Sequence, residues 1–346
     1  MNIKGRGLVL AGVLCAVLTA TAQDDQEDDK VKYMPEIHGT VRAKYEYQTE
    51  QGESRFLVRN ARMSITGNVA PIVEYKAEID FSDEGNIKML DAYTRLKPLK
   101  NFNFTIGQMR VPFTIDAHRS PHAQYFANRS FIAKQVGNVR DVGATVGYTF
   151  QGTMPLTIEA GLFNGSGLTN NKNFWTKSMN FSAKAQLKLP QGFNLQASVQ
   201  KVRPDETSIM MYDGGAYYHA HGWHVEAEYL FKHYSHDAWD NVHAVDAFIS
   251  YDIAIRNKKS LIKKITPLFR YDFMSDHWDG EEYDDDGNIT LSDSKRSRYT
   301  VGLTFSLAKP FISDIRLNFE KYCYSDNAVI ATSEKDKIVL EFMTRF

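Results

Sequence analysis

The chain has 346 residues, a formal net charge of −1 and 43% hydrophobic residues. That balance excludes a disordered polyelectrolyte and a bundle of apolar membrane helices, leaving a pair of soluble domains or one large barrel. No stretch is basic enough to form a groove for a polyanion, so no nucleic-acid partner is expected.

At the N-terminus, Lys4 and Arg6 precede an apolar run from Leu8 to Leu18, and Ala20-Thr21-Ala22 follows with the small-x-small spacing of a signal-peptidase site. Residues 1–22 are therefore expected to be a secretory signal peptide, with the mature chain starting at Gln23 and a net charge of −3 once both cations are removed. The run is too short to cross a bilayer as a helix. Cys15 lies inside it without the small residues of a lipobox, so export leaves Cys323 alone and no intrachain disulfide is expected. Residues 23–35 read as a polar periplasmic lead-in.

From residue 36 onward the period is two. Ile37, Gly39, Val41, Ala43, Tyr45 and Tyr47 are apolar or small, whereas His38, Thr40, Arg42, Lys44 and Glu46 between them are polar. The alternation returns in 73–81, 179–189, 223–231 and 299–307. Alternation alone is shared by a soluble sandwich and a membrane barrel. Two features favour the barrel. Short connections such as 67–71, 97–101, 151–154, 190–192 and 308–310 alternate with longer polar ones, the rhythm of periplasmic turns and outer loops. The connection at 255–264 is longer than its place in that rhythm predicts. The chain also closes on a strand in which Ile338, Leu340, Phe342 and the terminal Phe346 share one face, as expected of a segment read by the outer-membrane assembly machinery. Aromatic residues near strand ends, including Tyr45, Phe81, Tyr148, Phe150 and Tyr229, fit interfacial girdles.

In hydrocarbon an unpaired backbone amide costs several kcal/mol, so a β-chain with one oily face must close its sheet on itself. The fold class is therefore all-β: a transmembrane antiparallel β-barrel over 36–346, of about 16 strands, wide enough for a water-filled interior. Its setting is the outer membrane of a Gram-negative bacterium, with the lipid bilayer and lipopolysaccharide around it.

Gly107-Gln-Met-Arg-Val-Pro-Phe113, Ser120, Phe126-Ala-Asn-Arg-Ser130 and Arg140-Asp-Val-Gly143 together resemble the phosphate-selective porin O and P family. Thr266-Pro-Leu-Phe-Arg-Tyr-Asp272 and the closing strand extend the likeness more loosely over most of the mature chain. The resemblance implies a sixteen-stranded barrel, a homotrimer, and an inward-folded constriction loop with basic residues guiding anions. The matching loop is 111–140, the third outer connection, with Arg119, Arg129, Lys134 and Arg140 in it and Arg110 at its root, against Asp116 and Asp141. Each arginine can guide anions or hold the loop to a wall carboxylate, and Arg140, beside Asp141, fits the structural role better. A positive constriction concentrates anions, so small anionic solutes such as phosphate are the expected cargo.

Two departures temper strict phosphate selectivity. Asn128 stands where the family often has an acidic residue, and the lumen face is mixed. Arg42, Arg62, Lys76, Arg95, Lys184, Lys188, Arg270, Arg296 and Arg298 are countered by Glu74, Glu78, Asp80, Asp91, Glu159, Glu226, Glu228 and Asp272. The expectation is a passive channel with modest anion preference, the alternatives being a non-selective porin or a structural barrel with a blocked lumen.

Other constellations are weaker. Asp284 and Asp286 before Gly287, with Asp293 beyond, have calcium-loop spacing but lack the closing glutamate, and a solvated acidic loop explains them as well. His219 and His221, two apart on one expected strand face, with His224 close by, suggest a water-lined histidine pair rather than a metal shell. His118 and His122 have the spacing of one helical turn, with titration near neutral pH a corollary. No nucleophile motif or P-loop is present, so neither enzyme activity nor a cofactor is expected.

Overall fold

The computed structural model describes residues 33–346 except 84–85, 136–138, 169–172, 258, 308–311, 326–327 and 329. The expected signal peptide and the turn at 308–310 lie outside the described residues. The strands are β1 (Glu36–Gln48), β2 (Ser54–Ala70), β3 (Val73–Asp83), β4 (Asn86–Leu99), β5 (Phe102–Arg110), β6 (Arg140–Phe150), β7 (Leu156–Phe163), β8 (Asn180–Lys188) and β9 (Phe193–Val202). They continue as β10 (Ile209–Ala220), β11 (Trp223–Tyr234), β12 (Val242–Tyr251), β13 (Ile253–Ala254), β14 (Ile262–Met274), β15 (Arg296–Leu307), β16 (Ile312–Tyr324) and β17 (Lys337–Arg345). The two-residue β13 continues β12 past Asp252, and both pair with β14, so they form one stave of a sixteen-stave barrel. This extension carries the ladder on to Ile255, whose N–H donates to the Lys263 carbonyl at 2.8 Å, which shortens the connection that looked too long in the sequence.

Each stave pairs antiparallel with its sequence neighbour, and β1 pairs with both β2 and β17. That last ladder removes the two free edges a sheet cannot keep in lipid. The terminal residue completes it: Gly39 and Phe346 exchange backbone hydrogen bonds of 2.7 and 3.1 Å, and the Phe346 ring lies over Gly39, where a Cβ would come within 2.2 Å of it.

The two faces separate as the alternation predicts. On β11, Glu226, Glu228, Leu230 and Lys232 are buried inside, while Trp223, Val225 and Tyr229 point outward to the lipid. Outward aromatics gather near the stave ends: Phe193 with Tyr218 and Trp223 with Tyr251 on the side of the short turns, Tyr45 with Phe56 and Tyr271 with Tyr299 on the side of the long loops. These are the interfacial girdles.

The interior is less open than strand number alone suggests. Residues 111–135 carry two short helical turns, Pro121–Ala123 and Phe131–Gln135, and pack inside the ring. Phe113, Phe131 and Ile132 from this segment join Val202, Met211, Leu230, Tyr234 and Trp278 in a buried apolar cluster. The remaining inner wall is charged, with Arg42, Arg298, Arg316, Asp272, Glu320 and Glu341 all at most 2% exposed.

Candidate functional site

The inner segment leaves β5 at Arg110 and is tied to staves around most of the wall. The Ser182 hydroxyl of β8 donates to the Pro112 carbonyl at 2.7 Å, and the Thr114 N–H donates to Ser198 Oγ of β9 at 3.1 Å. Glu228 of β11 accepts the N–H groups of Ile115 and Asp116. Tyr125 and Phe126 pack on Phe248 of β12, with ring centroids 4.9 and 5.5 Å apart. Farther round, the Ala127 N–H reaches Asn318 of β16 at 2.8 Å, and Arg298 of β15 donates to the Arg129 carbonyl at 2.6 Å. Ser130 caps the Phe131–Gln135 helix through the Ala133 N–H at 3.1 Å and donates its own hydroxyl to Asp116 at 2.9 Å. The segment is thus a constriction held by backbone groups that would otherwise need water.

Asn128, the departure from the family pattern, has a reason in this geometry. Its Oδ1 accepts from Lys44 at 2.6 Å and its Nδ2 donates to Glu320 at 2.8 Å. A carboxylate in its place would set two acceptors against each other.

The five basic residues read from the sequence divide. Arg119 is an anchor: it meets Glu226 at 2.6 Å and Asp116 at 3.1 Å. Arg140 is paired with Asp91 at 2.7 Å and Glu78 at 3.3 Å, whereas its neighbour Asp141 instead accepts the Val142 and Gly165 N–H groups at 2.7 Å each. Lys134 pairs with Glu334 of the last outer loop at 2.9 Å. Arg110 and Arg129 differ. Arg110 donates to the carbonyls of Ala117 and Arg119, both at 3.1 Å, and Arg129 to those of Asp116, Ala117 and Arg119. Neither has an ion-pair partner among the described residues, although the Asp116 carboxylate lies in the electrostatic range of Arg129 and that of Asp91 in the range of Arg110.

The four wall cations singled out with them each have a carboxylate close by. Arg42 meets Glu341 at 2.6 Å, Arg62 meets Asp80 at 2.8 Å, and Lys76 meets Asp91 at 2.6 Å. Arg95 donates to Thr105 at 3.0 Å with Glu74 4.0 Å away.

Sequence reasoning missed Arg59. A strict period of two puts it with Ala61 and Met63 on the oily face. In the β1–β2 ladder, however, Arg42 faces Asn60 and Ala43 faces Val58, leaving Arg59 as the extra residue of a bulge. The bulge reverses the parity of the strand, and the Arg59 charge lies in the electrostatic range of Arg42, Lys44 and Arg129, all lumenal groups. Arg59 has no ion-pair or hydrogen-bond partner among the described residues. The signal available in the sequence was energetic: an arginine facing lipid near the bilayer midplane costs roughly 2–4 kcal/mol.

Between the inner segment and the β1–β3 wall an opening of about 300 Å³ remains, bordered by Thr40, Arg62, Lys76, Glu78, Ser120 and His122. His122 lies in Pro121–Ala123 with its Nε2 against the Arg345 guanidinium, an arrangement that calls for a neutral, accepting ring. His118 is outside that turn, so the two histidines do not share a helical turn as their spacing suggested. His221 is also misplaced by the sequence reading: it sits in the turn after β10 with φ +55° and bonds Tyr218, whereas His219 faces His224 across the hairpin.

The acidic outer loop does not assemble its three carboxylates. Asp284 closes a turn by accepting from Asn288 and Asp286, which holds its carboxyl below the usual carboxylate range, and Asp293 pairs with Arg296 at 2.9 Å. Among the described residues no group of three or more His, Cys, Asp or Glu side chains is placed to hold a metal ion.

A closed barrel with a lipid-facing exterior, a charged interior and a loop narrowing its lumen defines an outer-membrane channel. The family model for phosphate-selective porin O and P matches residues 31–205, and the chain belongs to that family. No curated protein matches the sequence. Among solved structures it is similar to the outer-membrane channel DcaP of Acinetobacter baumannii, with 15% identity, TM-score 0.61, and 90% of this chain and 97% of that chain covered. It is also similar to an anion-selective porin from Comamonas acidovorans, with 11% identity, TM-score 0.61 and coverages of 90% and 98%. OmpT of Vibrio cholerae in its trimer form gives 10% identity, TM-score 0.60 and coverages of 90% and 98%. At such identities the likeness concerns the fold. The protein is an outer-membrane porin.

Proposed function

We propose that this porin passes small hydrophilic solutes by diffusion and prefers anions, phosphate-like oxyanions among them. One observation carries the reading: Arg59, Arg110 and Arg129 have no ion-pair partner among the described residues, whereas Arg42, Arg62, Lys76 and Arg140 each have a carboxylate within 2.8 Å. Unbalanced positive charge in a narrow, low-dielectric passage raises the local anion concentration. Guanidinium forks suit phosphate or carboxylate oxygens, and binding shared with backbone carbonyls stays weak enough for release. Arg119, Arg140 and Lys134 serve as positioning residues that fix the loop.

The wider assembly follows the same reading. Residues 1–22 act as the export signal, residues 23–35 as a periplasmic lead-in, the C-terminal strand is recognised by the assembly machinery, and three copies associate in the membrane. The trimer form of the Vibrio cholerae neighbour supports that oligomer.

The test is the zero-current potential of the purified protein in planar bilayers under a potassium chloride gradient. Anion preference sets its sign toward the chloride equilibrium potential. Cation preference refutes the reading, and absence of any conductance refutes an open lumen.

A further inference from the structure

A second cavity, of about 320 Å³, lies on the extracellular side of the constriction, away from Arg59 and Arg110. Its inner surface comes from β9, β10 and β11, and its rim from residues 165–166, 203–204 and 277–281 of three outer loops, with Lys134 at the inner edge. One wall is apolar: Val202, Ile209 and Met211 are 6%, 3% and 1% exposed. Against it stand Lys232 and His277, each 2% exposed, with Lys232 Nζ 3.3 Å from His277 Nδ1. An oily wall beside an ammonium is an unusual lining for a passage that carries hydrated ions.

The cavity is preformed. The outer loop bearing His277 is pinned by Trp278, which is fully buried, stacks on Tyr234 with centroids 5.6 Å apart, and donates from Nε1 to the Glu282 carbonyl at 3.0 Å. Gly280, at φ +95°, allows the loop to close over the oily wall: a Cβ there would come within 2.5 Å of Pro204 and 3.2 Å of Ile209.

We infer that this cavity is a binding subsite for organic monocarboxylates with a compact apolar body, placed before the constriction on the way in. The carboxylate meets Lys232 and His277, and the apolar body lies on Val202, Ile209 and Met211. Asp279 and Glu281 outnumber Arg203 at the rim, which disfavours a second negative group there. Phosphate has no apolar surface to offer the wall. The inference deepens the channel reading by naming a solute class, and it rests on that reading only in requiring that solutes enter the lumen.

The experiment uses the full-length protein in planar bilayers with benzoate, acetate or inorganic phosphate added on the extracellular side, affinity being read from ligand-induced current noise. Benzoate is expected to bind tightest of the three. Lys232→Met is expected to weaken benzoate about tenfold, the size of one lost charge-assisted hydrogen bond. Pro204→Glu, a change confined to an outer loop, adds a negative charge at the rim and is expected to weaken benzoate. Equal affinity for all three ligands, or unaltered benzoate affinity in both variants, overturns the inference. The chloride zero-current potential recorded in the same membranes addresses the anion preference separately, so failure of either reading is visible without the other.

Discussion

Arg59→Gln is the sharpest test of how the lumen is charged. At a separation of about 7 Å in water, one unit charge stabilises a passing monovalent anion by roughly 0.6 kcal/mol and destabilises a cation equally. Screening at 0.1 M salt, where the Debye length is about 10 Å, reduces each effect by roughly half. Because the two effects oppose, their ratio doubles the change, so the chloride-to-potassium permeability ratio should fall roughly threefold on losing this arginine. Zero-current potentials in a salt gradient read the ratio directly, and the shift should grow at 0.01 M salt and nearly vanish at 1 M. The reasoning also has a stability arm. An arginine on the lipid face would cost roughly 2–4 kcal/mol, so removing it would stabilise the barrel by that amount. A stabilised barrel with an unshifted potential would refute the parity reversal at the β1–β2 bulge and the lumenal assignment of Arg59.

Arg119→Ala leaves Glu226 and Asp116 buried without their cation, a loss of about 3–5 kcal/mol for a buried pair, and should give a larger, noisier conductance with weaker anion preference in single-channel records. Gly39→Leu displaces the Phe346 ring from the β1–β17 seam, and the heat-modifiable folded band should fall severalfold on cold electrophoresis. Trp278→Ala removes a buried indole worth about 3–5 kcal/mol and should make the 275–295 loop cleavable by added protease while the barrel stays intact. Chelation of calcium should leave the unfolding temperature unchanged, because Asp284 and Asp293 spend their oxygens on Asn288 and Arg296.

What the sequence made legible was the part of the fold that repeats. Stave after stave, period two marks an oily and a wet face because a pleated strand in lipid permits nothing else. The closing strand and the third loop could be located for the same reason, each being defined by its place in a regular series. What stayed hidden depends on breaks in that series. The bulge at Arg59 inverts the facing of a residue without changing composition, and the turn at His221 ends a strand one residue before the pattern suggests. Partner choice was equally illegible: Arg140 has Asp141 beside it in the chain, yet its carboxylates are Asp91 on β4 and Glu78 on β3, two and three staves away from its own β6. Only the curvature of the wall, which brings non-adjacent staves within reach across its inner face, decides such pairs.

The pairing of wall charges bears on why this lumen should discriminate only modestly. A carboxylate within 2.8 Å makes each of Arg62, Lys76 and Arg140 a dipole at the distance of a passing ion, and the field of a dipole fades faster than that of a charge. On the proposed reading the three arginines without ion-pair partners set the sign of the potential, and the dipoles set its local texture. A lumen designed for tight oxyanion capture would instead remove the carboxylates, at the expense of strong repulsion among buried guanidinium groups. Here Glu78, Asp80 and Asp91 prevent that repulsion. The same carboxylates that let the wall fold around its arginines therefore limit how strongly it can select, and stability of the constriction is exchanged for selectivity residue by residue.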